Sequence, residues 1–248
     1  MRAVILAGGR GTRLAPITFV LPKPLVPVGE TPILEIVTRQ LIHHGFKDIT
    51  LTLGYLAELI QGYFHHHATL AQQANLQYVV EEQPTGTAGS LGLVPGLRES
   101  KEPFLVMNGD ILTTLNFGEL VEVHKRSGAD LTIATHQKKV VINLGVLDVD
   151  ETADSDLMPV TGYREKPEQA HPVSMGIYVY NPDVLDLIEP GTYLDFPTLV
   201  LRLLDRGGKV MAYKNDALWL DIGRPDDYAE AQALIENERD RIIPKIDV

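Results

Sequence analysis

Residues 6–14 read LAGGRGTRL, and a lysine between two prolines follows at 22–24. Gly8, Gly9 and Gly11 give backbone amides that an anion can approach with no side chain in the way. Arg13 can fork onto phosphate oxygens, and Lys23 offers a mobile point charge. Residues 1–29 hold Arg2, Arg10, Arg13 and Lys23 and no acid, in a chain whose net charge is −11. A basic, glycine-rich opening on an acidic protein points to a small anionic ligand. A nucleic acid polymer is excluded as a partner, because the chain lacks the basic footprint that binds one.

Two other phosphate motifs fail. The pattern G-x-x-x-x-G-K-[ST] is absent, and Leu14 stands where G-x-G-x-x-G needs its last glycine. A kinase-type P-loop and a dinucleotide fingerprint are thus set aside, and with the latter a nucleotide-dependent oxidoreductase.

The elements that must position this loop follow from periodicity. Residues 2–7 are a short apolar run ending in glycines, a buried strand. Thr31-Pro32 starts a helix over 31–44, with Ile33, Ile36, Val37, Gln40 and Leu41 at helical spacing and Gly45 at its end. The pattern repeats: strands at 48–55, 76–82, 103–110 and 130–137, and helices over AELIQGYFHH, after the glycines at 86–92, and at 116–128. Strands alternating with helices predict an α/β fold: a Rossmann-like, twisted, mainly parallel sheet with helices on both faces. The second half is richer in short strands, some antiparallel, with helices near 183–189, 195–206 and 225–241. One domain over 1–248 is expected: a nucleotide half at about 1–110, a smaller strand-rich part at about 111–225, and a C-terminal helix and tail at 226–248. In such a sheet ligands bind outside the carboxyl ends of the strands, where the glycine loop lies.

Composition narrows the setting. The 248 residues include no cysteine, so disulfides, thiolate metal sites and a cysteine nucleophile are excluded. The opening apolar run is too short for a secretory signal, and no stretch approaches a membrane span. A cytoplasmic protein with no membrane partner is expected. His65, His66 and His67 read as a solvated helix end, since adjacent histidines on a helix diverge. Trp219 reads as core, and Tyr178 and Tyr180 as ordinary strand packing.

Taken with its flanks, LAGGRGTRL…LPKPLVPV resembles the nucleotidyltransferases that activate sugar 1-phosphates, over nearly the whole chain. Four further segments match in order: PTGTAGSL at 84–91, VMNGD at 106–110, YREKP at 163–167 and WLDIGRPDDY at 219–228. The resemblance implies that the loop Leu6, Ala7, Gly8, Gly9, Gly11 and Thr12 holds the triphosphate. It puts Arg13 and Lys23 on the charge at the α-phosphate. Base contact falls to Glu82, Gly86 and Thr87, with Asn108 beside the nucleotide. The metal, Mg²⁺, falls to Asp110 and Asp221; Glu165 falls to the sugar, and Lys166 to the sugar phosphate. The sugar segment usually carries an aromatic-glycine pair and Asn-Ala-Gly. This chain has Asn143-Leu144-Gly145 and Ser174-Met175-Gly176, so Gly145, Ser174 and Gly176 are its sugar candidates, and Ser174-Met175 departs from the pattern.

The implied reaction joins a nucleoside triphosphate to a sugar 1-phosphate and releases pyrophosphate. Such transfer needs alignment and charge neutralisation more than covalent help. Mg²⁺ takes hard oxygen ligands, so two carboxylates with phosphate oxygens suit it. GTP and a mannose-, heptose- or hexosamine-like 1-phosphate are favoured, with CTP, UTP or dTTP as alternatives. The rival of another class is a non-catalytic, nucleotide-sugar-binding regulatory subunit. Relatives are often dimers or tetramers, so a homodimer or homotetramer is an expectation too. No room is expected for an added acyltransferase β-helix.

Overall fold

The apolar run at 2–7 lies inside a sheet, with a strand paired on each side. The computed structural model describes residues 1–150, 152 and 156–245. In chain order its strands are β1 (Arg2–Ala7), β2 (Pro27–Val28), β3 (Thr31–Pro32), β4 (Asp48–Leu53), β5 (Asn75–Val80), β6 (Phe104–Asn108), β7 (Ile111–Thr113), β8 (Leu131–Val141), β9 (Gly145–Val149), β10 (Val160–Glu165), β11 (Glu168–Tyr180), β12 (Val210–Lys214) and β13 (Trp219–Asp221). The helices are α1 (Ile33–His43), α2 (Ala57–His65), α3 (Ala68–Gln73), α4 (Gly86–Gly89), α5 (Phe117–Ser127), α6 (Phe196–Asp205) and α7 (Pro225–Ile242).

Seven strands form one sheet in the order β12-β8-β11-β6-β1-β4-β5. Neighbours are parallel except at β11, which runs antiparallel to β6 and β8. The sheet is mainly parallel, as expected, and strands from both sides of residue 110 share it.

Alternation along each strand divides the core into two layers. Ile5 of β1, Met107 of β6 and Ile177 of β11 pack in one cluster with Ile36 of α1, Ile60 of α2 and Phe117 of α5. Val4, Val106 and Tyr178 of the same strands face the other way, into a cluster with Ala88 of α4 and Leu199 of α6. Strands covered on both faces read as near-continuous apolar runs, which is how β1 and β6 appear in sequence, whereas β4 alternates and buries Thr50 and Thr52. Tyr178 and Tyr180 are both buried on one face of β11, consistent with packing.

Helix ends follow local chemistry. The Asn116 side chain accepts from the Glu119 amide at 3.0 Å, and Gly128 at φ 61° closes α5. Asp195 accepts from the Thr198 amide at 2.9 Å to start α6. Two expected helices are altered. The segment after the glycines is one turn of α4 followed by a 3₁₀ turn at Ser90–Leu93, and the one near 183–189 is a 3₁₀ helix at Pro182–Leu187. Gly86 at φ 81° and the run of small residues after it favour a tight turn over a long helix.

The carboxyl ends of β1, β4, β5 and β6 lie along one edge of the sheet, because these strands are mutually parallel. At the same edge β8 and β11 run on as a two-stranded ribbon, pairing as far as Glu168 and Val141. The β9–β10 hairpin continues from it, and at the hairpin's open end the Lys166 amide donates to Leu144 O at 3.3 Å. A separate pair, β7 and β13, places Asp221 opposite Ile111. Residues 246–248 of the expected tail lie outside the described residues. Among the described residues, no helix is long and apolar enough to cross a membrane.

Candidate active site

Two cavities open side by side at the carboxyl edge of the sheet. One, of about 280 Å³, is lined by Leu6, Ala7, Gly9, Gly11, Thr12, Arg13, Lys23, Pro24, Gly109 and Asp110. The other, of about 370 Å³, is lined by Leu6, Gly8, Gly9, Thr52, Gly54, Glu81, Pro84, Gly86, Thr87, Ser90, Asn108 and Asp110. Leu6, Gly9 and Asp110 belong to both, so a molecule with an anionic end and a flat, partly polar end can occupy the pair.

The glycines are there because the backbones crowd. A Cβ on Gly8 would stand 2.9 Å from Glu81 Oε1, and one on Gly54 would stand 2.7 Å from Gly8 O. Gly11 has φ 61°, and a Cβ there would meet the Lys23 side chain at 2.7 Å. Thr18 Oγ1 donates to Gly11 O at 2.9 Å and steadies this turn.

The charged groups converge from four segments. Lys23 sits in a 3₁₀ turn at Lys23–Leu25 and is buried; its Nζ donates to Asp110 Oδ2. Asp110 follows β6, and its Oδ1 is buried with no hydrogen-bond partner. Its backbone oxygen accepts from the Ile222 amide at 3.1 Å, which docks the Asp221 strand beside it. Burial, then the neighbouring Asp110 charge, pushes the Asp221 carboxyl up, and Lys23 and Arg13 pull it partly back. The Arg13 guanidinium lies over Gly223, where a Cβ would stand 3.2 Å from Nη1. Asp227 Oδ2 accepts from the amides of Gly223 and Arg224 at 3.0 and 2.7 Å and holds that turn.

Two carboxylates share this corner, with one oxygen unsatisfied. That donor set fits a hard cation which draws its other ligands from phosphates and water. Among the described residues no group of three metal-binding side chains occurs.

The second cavity is walled by the turn before α4. The amides of Ala88 and Gly89 donate to Leu194 O at 3.0 and 2.9 Å, and the Leu194 amide donates to Thr85 O at 2.8 Å. Thr87 Oγ1 accepts from the Phe196 amide at 2.9 Å. Glu82, the expected base contact, is exposed and lines neither cavity, whereas Glu81 lines the larger one. Glu81 Oε2 accepts from Thr85 N and Oγ1 at 2.8 and 2.7 Å.

The expected sugar residues divide. Gly176, at φ 72°, packs on Asn108: a Cβ there would stand 2.6 Å from Nδ2. Ser174 Oγ accepts from the Gly176 amide at 3.2 Å and donates to Tyr178 Oη at 3.2 Å. Trp219 is half-buried rather than deep in the core, and its Nε1 donates to Met175 O at 2.9 Å. The Ser174–Gly176 segment thus lies beside the cavities. Gly145, Glu165 and Lys166 do not line either one. Glu165 pairs with Gly145 across the β9–β10 hairpin and accepts from Tyr163 Oη at 2.8 Å, and Lys166 holds the next turn at φ 44°.

Sequence reasoning missed Glu81, Pro84, Ser90, Thr52, Gly54, Pro24 and Gly109 as lining. For Gly54 a signal existed, because it ends a predicted strand at the ligand-binding edge. The histidines fall partly as expected. His65 and His66 are exposed, whereas His67 is half-buried with Nε2 3.3 Å from Glu35 Oε2.

Residues 2–238 match the family described as nucleotidyl transferase. UTP–glucose-1-phosphate uridylyltransferase of Synechocystis sp. is 33% identical over 267 residues, spanning 100% of this chain and 67% of the relative. Mannose-1-phosphate guanyltransferase of Saccharomyces cerevisiae is 31% identical over 253 residues, spanning 99% and 67%. The chain thus covers about two thirds of the length of these relatives. Among solved structures, HddC from Yersinia pseudotuberculosis complexed with GMP-PN matches with a TM-score of 0.68 at 25% identity, over 94% of this chain and 98% of that one. UDP-glucose pyrophosphorylase complexed with UDP-glucose matches in fold, with a TM-score of 0.70 at 19% identity, over 96% and 99%.

Proposed function

This chain belongs to the nucleotidyl transferase family and is a sugar-1-phosphate nucleotidyltransferase, and from that premise we propose that it uses GTP and Mg²⁺ to activate a mannose-, heptose- or hexosamine-like 1-phosphate. The observation that carries the reading is the pair of cavities joined at Leu6, Gly9 and Asp110, one basic and one with Glu81 in its wall. Glu81 Oε2 is engaged by Thr85, while among the described residues Oε1 has no hydrogen-bond partner. A carboxylate oxygen only accepts, and guanine presents two adjacent donors, N1–H and N2–H₂, where uracil and thymine present one. HddC with GMP-PN and the yeast guanyltransferase support the same base. The Synechocystis relative, which acts with UTP, keeps the pyrimidine nucleotides as the second reading.

The base fits the larger cavity and the triphosphate the glycine loop, so the nucleotide is held mainly by residues 1–110. The sugar falls to the strand-rich part, starting at Ser174–Gly176. One phosphate oxygen of the sugar 1-phosphate attacks the α-phosphorus. The new P–O bond forms as the bond to the bridging α–β oxygen breaks, and its electron pair leaves with pyrophosphate. The attacking oxygen is already ionised near neutral pH, so no general base is needed. Arg13 and Lys23 offset charge on the triphosphate, and Lys166 is assigned to the attacking phosphate. Asp110 and Asp221 would hold Mg²⁺, which when bound supplies charge neutralisation and orientation of the phosphates.

Pyrophosphate release, measured across GTP, CTP, UTP, dTTP and ATP against a panel of sugar 1-phosphates, tests this. Release with GTP that is lost on Asp110→Asn is expected. Release with UTP or CTP alone overturns the base assignment. Silence across the panel from folded protein that still binds a nucleotide sugar points to the regulatory binder.

A further inference from the structure

Ser90 carries a hydroxyl that the fold leaves unused. The residue is 2% exposed, and its Oγ is buried with no hydrogen-bond partner. A serine inside a helical turn can bond back to the carbonyl four residues earlier. Here the Ser90 backbone amide takes Gly86 O, and the side chain does not. Ser90 instead lines the larger cavity, as does Glu81. Glu81 Oε1 lies against Gly8, where a Cβ would stand 2.9 Å away, so the free carboxylate oxygen also belongs to this floor. One cavity is therefore lined by two residues that carry an unpartnered acceptor and an unpartnered hydroxyl, on segments joined by the bonds from Thr85 to Glu81 Oε2.

Buried polar groups are satisfied in nearly all proteins, and an orphan calls for a partner that arrives with a ligand. Of a hydroxyl and a carboxylate, only the hydroxyl can donate. The natural match is a base edge with a carbonyl oxygen next to a ring N–H, which guanine and uracil have. Adenine and cytosine put an amino donor at the carbonyl position.

We infer that Ser90 is a base-reading residue whose hydroxyl donates to the keto oxygen of the nucleobase, and that with Glu81 it selects keto bases over amino bases. This rests on the proposed nucleotide site and names how that site discriminates.

The test is steady-state kinetics of wild type, Ser90→Ala and Ser90→Thr with the preferred keto triphosphate and its amino counterpart, GTP with ATP or UTP with CTP. Thermal unfolding with and without each nucleotide accompanies it. In Ser90→Ala, KM for the keto nucleotide rises roughly three- to tenfold, the size of one hydrogen bond. KM for the amino nucleotide and for the sugar 1-phosphate stays within twofold. Without nucleotide the Ala variant unfolds at the wild-type temperature or above, because an unsatisfied hydroxyl has been removed, while the shift caused by the keto nucleotide shrinks. Ser90→Thr keeps the hydroxyl and restores part of the discrimination. If Ser90→Ala releases pyrophosphate with unchanged discrimination and an unchanged nucleotide-induced shift, the inference is overturned and the family assignment stands. If wild type binds no nucleotide at all, the site itself has been misread.

Discussion

Lys23 and Asp110, 87 residues apart, meet at the floor of the basic cavity, where Lys23 Nζ donates to one carboxylate oxygen of Asp110 and leaves the other buried and unpartnered. The lysine thus pairs with one of the site's two carboxylates and leaves one of its oxygens open to a further partner.

Asp110→Asn should keep the fold, since an amide can accept from Lys23, and should lower kcat by at least about 10²-fold. Chelation of divalent cations should abolish wild-type activity, and added Mg²⁺ should restore it. Pyrophosphate release with and without chelator checks both. Activity that survives chelation would remove the metal from the scheme.

Lys23→Met should lower kcat by roughly 10²–10³-fold, because a preorganised charge aimed at the triphosphate is lost. Arg13→Lys should cost less in charge yet still lose the planar fork over Gly223. Comparing kcat with KM for the two variants separates transition-state from ground-state contacts.

Gly86→Ala puts a Cβ 2.5 Å from Leu194 O, at φ 81°. That oxygen already accepts from Ala88 and Gly89. The variant should be destabilised by about 1–3 kcal/mol, and its KM for the nucleotide should rise while KM for the sugar phosphate holds. Denaturant unfolding and substrate-varied kinetics read the two effects.

Trp219→Phe keeps a ring but loses the bond to Met175 O, which fixes the Ser174–Gly176 segment. KM for the sugar 1-phosphate should rise roughly threefold to tenfold, with nucleotide KM unchanged. An equal rise in both would deny the segment a sugar role.

His124 makes stability depend on pH. Asn181 Nδ2 donates to Ala129 O at 2.8 Å, which turns Asn181 Oδ1 to accept from His124 Nε2 at 3.2 Å. His124 Nδ1 then accepts from Thr132 Oγ1 at 2.8 Å, a pattern suited to the neutral ring. Burial lowers the His124 pKa below 6.5, and burial lowers that of His44 as well. The unfolded chain therefore binds more protons as the pH drops below 6.5. Stability is intact above that value and declines below it. Thermal unfolding between pH 5.5 and 7.5 should show this slope, and His124→Gln should flatten it. An unchanged slope in the variant would place the titration elsewhere.

Much of this was legible in the residues themselves. A strand ending in glycines, followed by Arg13 and Lys23, specifies an anion site wherever the chain runs next, because the amides and charges are local. Strands alternating with helices specified the mainly parallel sheet, since a helical crossover returns the chain to run each strand in the same direction. The wall proposed for the base was harder to see. Glu81 and Glu82 follow one another at the end of β5, and period two says that they face opposite ways without saying which faces in. Only the Thr85 turn, folding back on Glu81 Oε2, decided it. Ser90 lay within the matched segment at 84–91, but nothing local marked its hydroxyl as unpartnered, because whether a hydroxyl is satisfied depends on atoms brought from elsewhere. Gly145, Glu165 and Lys166 showed the opposite limit. Their motif was plain in sequence, but hairpin geometry set them outside both cavities. Local chemistry is encoded in neighbours, whereas approach between distant segments is set by strand order and packing, and these exist only in the folded chain.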